Sequence, residues 1–332
     1  MEKVIAVVVT YNRQSLLSEC INALRSQTRR LDAILVVNNG STDSTEEWLK
    51  KQSDVFFVSQ KNVGSSGGFS TGINWAYQNG YSWIWCMDDD GYPKEDALQN
   101  MLAADNGELR LMNCAVIDKE NKQSFVWKTG NFKTINEVDT KIIEGIGHPF
   151  NGTMLHRRII ERVGVPQPKF FLWGDETEYY YRIVKRNQIP VCTVADSIHY
   201  HPSTAFSIKQ DWEYKSGWKM YYYVRNRFHI HQVKFNNKFL AFLNYSCFLL
   251  AFAGIILLYQ KTDKMKKLGF LFWPASDALT SNFDATPTFI LTKLQTQGSY
   301  PIASAFNNYL KNFRSLLQAP FSSVRPRRAA NA

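Results

Sequence analysis

Residues 5–13 read IAVVVTYNR, an unbroken apolar run rich in β-branched residues that ends in polar side chains. A second run of this kind, AILVV, occupies positions 33–37. Neither run alternates between apolar and polar residues, and such runs are typical of strands buried on both faces of a parallel sheet. Residues 15–26 carry apolar side chains at helical spacing, so the sequence predicts a strand, a crossover helix and a second, parallel strand.

The alternation of strand and helix continues along the chain. Residues 55–58 predict a third strand, the glycine-rich NVGSSGGFSTG at 62–72 leads into a helix at 73–77, and WIWCM at 83–87 predicts a fourth strand. The sequence therefore predicts an α/β fold with a doubly wound, mostly parallel sheet. Ligands of such sheets bind beyond the carboxyl ends of the strands, where this chain places polar and acidic residues.

The composition is that of an ordinary globular protein. Of the 332 residues, 45% are hydrophobic and 20% are charged, which excludes a globally disordered chain and allows about two domains. The five cysteines form no CxxC pair, so we expect neither a disulfide framework nor a zinc site, and a reduced, cytoplasmic environment is favoured. Residues 1–10 lack the features of a secretory signal peptide.

Positive charge is concentrated in the last third of the chain. The net charge is −2 over residues 1–208 and +12 over residues 209–332, and we expect a domain boundary between these two regions. Residues 239–259 form an uncharged apolar stretch long enough to span a bilayer, with lysines after it. Basic residues beside an apolar stretch favour an anionic membrane surface over nucleic acid as the partner.

The second region is therefore predicted to be helical and to associate with the inner face of the plasma membrane. A peripheral or monotopic arrangement is favoured because Asn244, Ser246 and Gly254 interrupt the apolar stretch. A membrane-spanning helix and a buried hairpin remain the alternatives.

Three adjacent carboxylates, Asp88, Asp89 and Asp90, follow the fourth predicted strand. Like charges this close repel one another unless a cation neutralises them, and carboxylate oxygens suit Mg²⁺ or Mn²⁺. Such ions are commonly shared with the phosphates of a nucleotide, so the triplet predicts a divalent-cation site. The alternative is a solvated acidic turn, which Gly91 and Pro93 would favour.

A second acidic group, Asp175, Glu176 and Glu178, lies at the predicted start of a helix among aromatic residues. Aromatic surroundings raise the pKa of a carboxylate towards the working range of a general base. Acids in a first helical turn are also favoured by the helix dipole, so a purely structural role is the alternative. His199 and His201 are candidate ligands that would complete the cation site, or else ordinary polar residues.

The glycine-rich segment at 62–72 lacks the GxGxxG spacing of a dinucleotide-binding fingerprint and follows the third strand rather than the first. Gly67 and Gly68 are instead expected to let the backbone approach a ligand closely. Simple turn glycines are the alternative.

Five segments, taken in order, resemble the inverting family 2 glycosyltransferases over about two-thirds of the chain. They are VVVTYNR at 7–13, VVNNGSTDST at 36–45, NVGSSGGFSTGINWA at 62–76, WCMDDDGYP at 85–93 and FLWGDETEYYYRI at 171–183. The nearest look-alikes are bacterial galactofuranosyltransferases and rhamnosyltransferases that build surface polysaccharide. The resemblance implies a GT-A fold, a nucleotide-sugar donor and a divalent cation, Mn²⁺ or Mg²⁺.

By the family pattern, the donor would be contacted by residues at the strand ends, namely Thr10, Tyr11, Arg13, Asn39, Asp43, Asp88 and Asp89. Asn62, Gly67 and Gly68 of the glycine-rich segment are further candidates for contacts with the donor. The resemblance also makes Asp90 the direct metal ligand, joined by the downstream His201, with His199 as a close second.

The resemblance gives the acidic motif the role of general base. Glu176 is the favoured base, with Asp175 as the alternative and Glu178 as a third candidate. The implied reaction is a single in-line displacement that inverts the anomeric carbon. The implied donor is UDP-galactofuranose, with dTDP-rhamnose as the alternative, and the implied acceptor is a glycan or a lipid-linked glycan. A non-catalytic subunit that binds a sugar nucleotide or a polysaccharide is the alternative from another functional class.

Overall fold

A computed structural model describes residues 2–203, 207–296 and 306–311. Much of the C-terminal segment after 296 therefore lies outside the described residues. The strands are β1 (Val4–Thr10), β2 (Ala33–Asn38), β3 (Phe56–Ser59), β4 (Trp83–Asp88), β5 (Tyr92–Pro93), β6 (Leu111–Asp118), β7 (Ser124–Thr129), β8 (Phe132–Thr134), β9 (Ile142–Glu144), β10 (Thr153–His156) and β11 (Val191–His201). The α-helices are α1 (Gln14–Arg25), α2 (Thr45–Leu49), α3 (Gly64–Gln78), α4 (Ala97–Ala103), α5 (Arg157–Val163), α6 (Asp175–Tyr181), α7 (Trp218–Phe235), α8 (Lys238–Tyr259), α9 (Lys264–Thr280) and α10 (Pro287–Thr296).

The strands form one mixed sheet in the order β3-β2-β1-β4-β10-β6-β11-β5. Strands β1 to β4 pair in parallel, as do β6 and β11, whereas β10 runs antiparallel between β4 and β6. Two further strands, β7 and β9, pair with β6 and β11, and β7 forms a hairpin with β8. The predicted α/β fold with a central, mostly parallel sheet and a helical C-terminal region is confirmed.

The core lies on both faces of the sheet. In β1, Val4, Ala6 and Val8 pack in one cluster with α1, while Ile5 and Val7 pack in the other with α3. Because every residue of β1 is buried, the strand needs apolar side chains on both faces. This explains why the run at 5–9 does not alternate.

The glycine-rich segment is helical, whereas the sequence predicts a loop that leads into a helix at 73–77. Helix α3 begins at Gly64 rather than near Ile73. A Cβ atom at Gly68 would lie 2.5 Å from Cγ1 of Val9, and one at Gly67 would lie 2.3 Å from Cγ2 of Val63. These glycines let the helix lie close against β1 and against the loop that precedes it. The structure shows this packing role, and the close approach of the backbone to a ligand stays a prediction.

The chain divides into two compact units: residues 1–208 with 226–247, and residues 209–225 with 248–332. In the second unit, the fully buried ammonium of Lys267 lies 2.8 Å from Oδ1 of Asp211 and 3.0 Å from Oε1 of Gln260. A buried charge held by a carboxylate and an amide is a structural anchor rather than a free cation.

Among the described residues, α8 is the helix that is long and apolar enough to cross a membrane. Its mean hydropathy is 2.1 over the most apolar window, and 22% of that window is buried inside the protein. Length and composition alone do not distinguish a spanning helix from one that lies on a surface.

Candidate active site

The acidic turn after β4 is held by residues that follow β1. Because β1 and β4 pair in parallel, Thr10 ends beside the turn, and its hydroxyl donates a 2.7 Å hydrogen bond to Oδ2 of Asp89. Nη1 of Arg13 lies 3.2 Å from Oδ1 of Asp89 and 2.8 Å from Oδ2 of Asp90. The carboxylate of Asp89 is therefore engaged on both oxygens by the protein itself.

The remaining two aspartates meet a histidine from β11. Asp88, Asp90 and His201 each offer one ligand atom, and these atoms lie within 4.8 Å of one another. Nε2 of His201 lies 3.2 Å from Oδ1 of Asp90, and Nδ1 lies 2.8 Å from the carbonyl oxygen of Pro202. That carbonyl fixes the ring and leaves Nε2 facing the carboxylates, and metal-binding histidines are commonly oriented by such a hydrogen bond from the other ring nitrogen. Two carboxylates and an imidazole fit Mn²⁺ well and Mg²⁺ acceptably.

The charges of this cluster perturb one another. Burial, together with the like charges of Asp90 and Asp89, raises the pKa of Asp88 to about 7. Burial would also raise the pKa of Asp90, but the hydrogen bond and charge of His201, with Arg13, outweigh it and lower this pKa to about 2. Burial would lower the pKa of His201, yet Asp90 raises it. Strongly perturbed pKa values of this kind cluster at functional sites.

His199 is not among the atoms that converge at this cluster, although it lies two residues from His201 on β11. Its ring is fully buried, and burial lowers its pKa to about 3. A Cβ atom at Gly91 would lie 2.3 Å from Nε2 of His199, so the ring packs under the backbone of the acidic turn. The geometry favours His201 over His199 as the histidine ligand.

The second acidic group opens helix α6. Asp175 is buried, and Oγ of Ser65 donates a 3.4 Å hydrogen bond to its Oδ2. Burial, followed by the charge of Glu176 and a hydrogen bond with that side chain, raises the pKa of Asp175 well above its ordinary value. The charge of Asp88 adds to this rise. Glu176 is partly exposed, and its carboxylate accepts hydrogen bonds of 3.1 and 3.2 Å from the amide of Gly174.

The carboxylate of Glu178 is bound by two neighbouring side chains. Its side chain is 1% exposed, and Oε2 lies 3.0 Å from Nη2 of Arg182. Nε2 of Gln167 donates a 3.0 Å hydrogen bond to the other oxygen. The carboxylate is neutralised inside the protein, which is the arrangement of a structural ion pair.

The remaining predicted donor-contacting residues are mostly engaged in shaping the loops. Nδ2 of Asn39 donates a 2.9 Å hydrogen bond to the carbonyl oxygen of Gly64. Oδ1 of Asn62 accepts a 2.9 Å hydrogen bond from the amide of the same glycine. Asp43 accepts from the amides of Thr45 and Gln14, at 3.0 and 3.4 Å, near the starts of α2 and α1. These bonds fix the loops at the strand ends.

Tyr11 differs from these loop residues because its side chain is 46% exposed. It directly follows β1, beside Thr10 and Arg13, and is free to meet a ligand at this edge of the sheet.

One residue of this region has no counterpart in the sequence prediction. Trp127 lies on β7, and its ring centroid is 5.2 Å from that of His201 and 5.6 Å from that of His148. The segment SFVWKTGNF at 124–132, with a positive φ at Gly130, carries a hairpin signal. That signal predicts the hairpin but not the contact of its tryptophan with the ring of His201 on β11.

Comparison with known proteins identifies the family. The sequence profile of Glycosyl transferase family 2 matches residues 5–164. Galactofuranosyltransferase GlfT1 of Mycobacterium tuberculosis is 31% identical over 215 residues, which cover 60% of this chain and 70% of that protein. The chain belongs to glycosyltransferase family 2. The predicted resemblance is confirmed, and the protein is an inverting hexosyltransferase by its family.

Further proteins are similar to this chain. GlfT1 of Mycolicibacterium smegmatis is 31% identical over 60% of this chain and 71% of its own length. The hexosyltransferase Agl10 of Haloferax volcanii, named for low-salt glycan biosynthesis, is 23% identical over 67% of this chain and 73% of its own. The crystal structure of Staphylococcus aureus TarS has a TM-score of 0.53 and 14% identity, covering 95% of this chain and 90% of the TarS fragment. TarS shares the fold, and the GT-A prediction for this family 2 glycosyltransferase is confirmed.

Proposed function

We propose that the protein is a metal-dependent galactofuranosyltransferase. It transfers galactofuranose from UDP-galactofuranose to a glycan or lipid-linked acceptor in surface polysaccharide synthesis. The names of the mycobacterial relatives support the sugar. The observation that carries the chemistry is a chain of hydrogen bonds that links the two acidic groups. Ser65 donates to Asp175 at 3.4 Å, and the neighbouring Gly64 accepts a 2.9 Å hydrogen bond from Asn39. The amide of Asn39 donates to the carbonyl of Thr10, whose hydroxyl donates to Asp89 in the acidic turn. Two acidic groups far apart in sequence thus serve one site.

In this proposal, Asp88, Asp90 and His201 hold the divalent cation, Mn²⁺ or Mg²⁺. When bound, the ion stabilises the negative charge of the departing diphosphate. Asp89 is not a ligand, because Thr10 and Arg13 occupy its oxygens, and its role is to brace the turn. Arg13 is half-exposed beside the turn, so its charge also attracts the diphosphate of the donor.

Glu176 acts as the general base, and Asp175 supports it. Burial and the charge of Glu176 raise the pKa of Asp175, which favours its protonated form, and in that form its side chain can donate a hydrogen bond to Glu176. The partly exposed Glu176 then takes the proton of the acceptor hydroxyl while that oxygen attacks the anomeric carbon and UDP leaves. Glu178 does not take part, because Arg182 neutralises it.

The protein is cytoplasmic and attaches to the inner face of the membrane through α8. Apolar side chains of this helix are exposed, including Leu243 at 48%, Leu250 at 74% and Leu258 at 79%. Exposed lysines flank the helix at Lys238 and Lys261. A helix with exposed apolar side chains between cationic ends suits the surface of an anionic bilayer, and a lipid-linked acceptor would be reached there.

The test is a transfer assay with the full-length protein, Mn²⁺ and a panel of octyl hexosides as acceptors. We expect product with UDP-galactofuranose, and little or none with dTDP-rhamnose. Glu176→Gln should abolish product, whereas the matched change Glu47→Gln, on the exposed surface of α2, should not.

Three outcomes would contradict the proposal. Transfer with dTDP-rhamnose alone would replace the donor. Unchanged transfer by the Glu176→Gln variant would remove the proposed base. The absence of both transfer and donor hydrolysis with every sugar nucleotide would favour a non-catalytic binding subunit.

A further inference from the structure

The hairpin of β7 and β8 brings an aromatic side chain to the edge of the proposed cation site. The hairpin pairs with the sheet through Phe125 and Ile117 of β6, which lies beside β11. Trp127 is partly exposed, and its ring lies 5.2 Å from that of His201 at an interplanar angle of 47°. A large aromatic surface therefore stands against a residue that faces the two aspartates.

Trp127 is connected by packing to the helix that carries the proposed base. Its second ring contact is with His148, at 5.6 Å. The backbone around His148 is fixed by Nδ2 of Asn113, which donates 3.2 Å to the carbonyl of His148 and 3.0 Å to that of Asn151. This segment, residues 145–151, contacts α6 at two points.

The hydroxyl of Tyr180 donates a 3.2 Å hydrogen bond to the carbonyl of Gly145, and the ring of Phe150 lies 5.7 Å from that of Tyr179. Both tyrosines belong to the helix that begins with Asp175 and Glu176. A continuous wall thus runs from Trp127 through segment 145–151 to α6.

We infer that Trp127 is the platform on which the sugar ring of the acceptor stacks. The inference rests on the proposed function, because the acceptor must place a hydroxyl at Glu176, on the same wall. The apolar C–H face of a hexose buries well against an aromatic ring, and ligand sites commonly combine aromatic side chains with a few polar groups. A tryptophan at this place would favour acceptors whose sugar ring has a face free of axial hydroxyls, because such a face can lie flat on the indole.

The contact would be lost in Trp127→Ala and largely kept in Trp127→Phe, which retains an aromatic face. We expect Trp127→Ala to raise the KM for the acceptor at least about tenfold and to change the KM for UDP-galactofuranose less than about twofold. Trp127→Phe should lie within about threefold of the wild type for both substrates. Phe56→Ala, which removes an exposed aromatic from the edge strand β3, is the matched control and should change neither KM.

The assay uses the full-length protein and the octyl hexoside that the wild type glycosylates best. Saturation-transfer NMR of the same hexoside, measured without donor, provides a readout independent of turnover, and Trp127→Ala should weaken its signal. Thermal unfolding of each variant excludes a folding defect as the cause.

Two results would overturn the inference. A rise in the KM for the donor alone would place the donor sugar on Trp127, and unchanged values for both substrates would remove the residue from sugar binding. These results are distinguishable from a failure of the proposed function, since in that case the wild type itself would transfer no galactofuranose.

Discussion

Thr10 and Asp89 are joined by a 2.7 Å hydrogen bond in a region where both side chains are almost inaccessible to solvent. The bond links the end of β1 to the acidic turn after β4 and occupies the middle carboxylate of the triplet. The three aspartates, which look equivalent in the sequence, are therefore different in the structure. Asp89 supports the turn, and Asp88 and Asp90 remain to face His201.

This difference predicts unequal effects on metal binding. Asp90→Asn should raise the dissociation constant for Mn²⁺ more than about 100-fold, whereas Asp89→Asn should raise it about tenfold, as expected for a supporting residue. Titration of Mn²⁺ followed by electron paramagnetic resonance measures both values. Equal losses in the two variants, or a larger loss in Asp89→Asn, would mean that Asp89 is itself a ligand.

The paired carboxylates of α6 predict a second contrast. Glu176→Gln should lower kcat by about 10²–10⁴-fold, the usual contribution of a general base. Asp175→Asn should lower kcat less than about tenfold, because an amide can donate the hydrogen bond that a protonated carboxyl donates. Steady-state kinetics at saturating donor decide between the two residues. If Asp175→Asn is the inactive variant, then Asp175 is the base.

The buried state of Asp175 also predicts how stability depends on pH. Its pKa is higher in the folded than in the unfolded protein, so the folded state binds more protons above the unfolded pKa of about 4, and stability falls as the pH rises from there. Asp175→Asn removes this loss. The variant should be more stable than the wild type at pH 7.5 but not at pH 4. Each kcal/mol gained in the free energy of unfolding should raise Tm by about 2–4 °C.

Thermal unfolding in EDTA, which keeps metal binding constant, checks this. Glu47→Gln, an exposed change on α2, is the control and should follow the wild type at both pH values. A Tm of Asp175→Asn below that of the wild type at pH 7.5 would show that the ionised carboxylate stabilises the fold.

The sequence was sufficient for the parts of the site that depend on chain order. Unbroken apolar runs that end in polar residues predict parallel strands and the edge at which a ligand binds, so the acidic turn and its neighbours at Thr10 and Arg13 could be placed together. The acid triplet, by contrast, does not reveal which carboxylate is bound by the protein's own side chains. That depends on Thr10, at the end of β1, and on Arg13, which follows it.

Other features depend on packing between elements distant in sequence. Gly67 and Gly68 look like loop glycines, yet they lie in a helix that must approach Val9 and Val63 closely. Likewise, Trp127 meets His201 only because β7 pairs with β6 beside β11. Such contacts leave no local pattern in the sequence, and a structure is needed to see them.

The close packing of α3 on β1 predicts a stability effect at Gly68. Gly68→Ala places a Cβ 2.5 Å from Cγ1 of Val9 and should cost about 1–3 kcal/mol, as overpacking typically does. Adding Val9→Ala should recover part of this loss by making room. Gly254 lies within α8, and a Cβ added there would meet no atom within 4 Å. Gly254→Ala should therefore stabilise the folded protein by about 0.5–1 kcal/mol. Urea unfolding measures all three, and an unchanged midpoint for Gly68→Ala would show that the helix shifts freely.

The exposed face of α8 predicts binding to anionic vesicles. Each leucine that inserts contributes about 1.5–3 kcal/mol, so replacing both Leu250 and Leu258 by glutamate should reduce binding by well over tenfold. Vesicles containing phosphatidylglycerol should sediment with the wild type much more than neutral phosphatidylcholine vesicles do, because Lys238 and Lys261 flank the helix. Phe56→Glu, at an exposed aromatic on β3, is the control and should bind as the wild type does. If the wild type binds neither kind of vesicle but elutes as a dimer that the double variant dissociates, the leucines cover a contact between two copies of the chain instead.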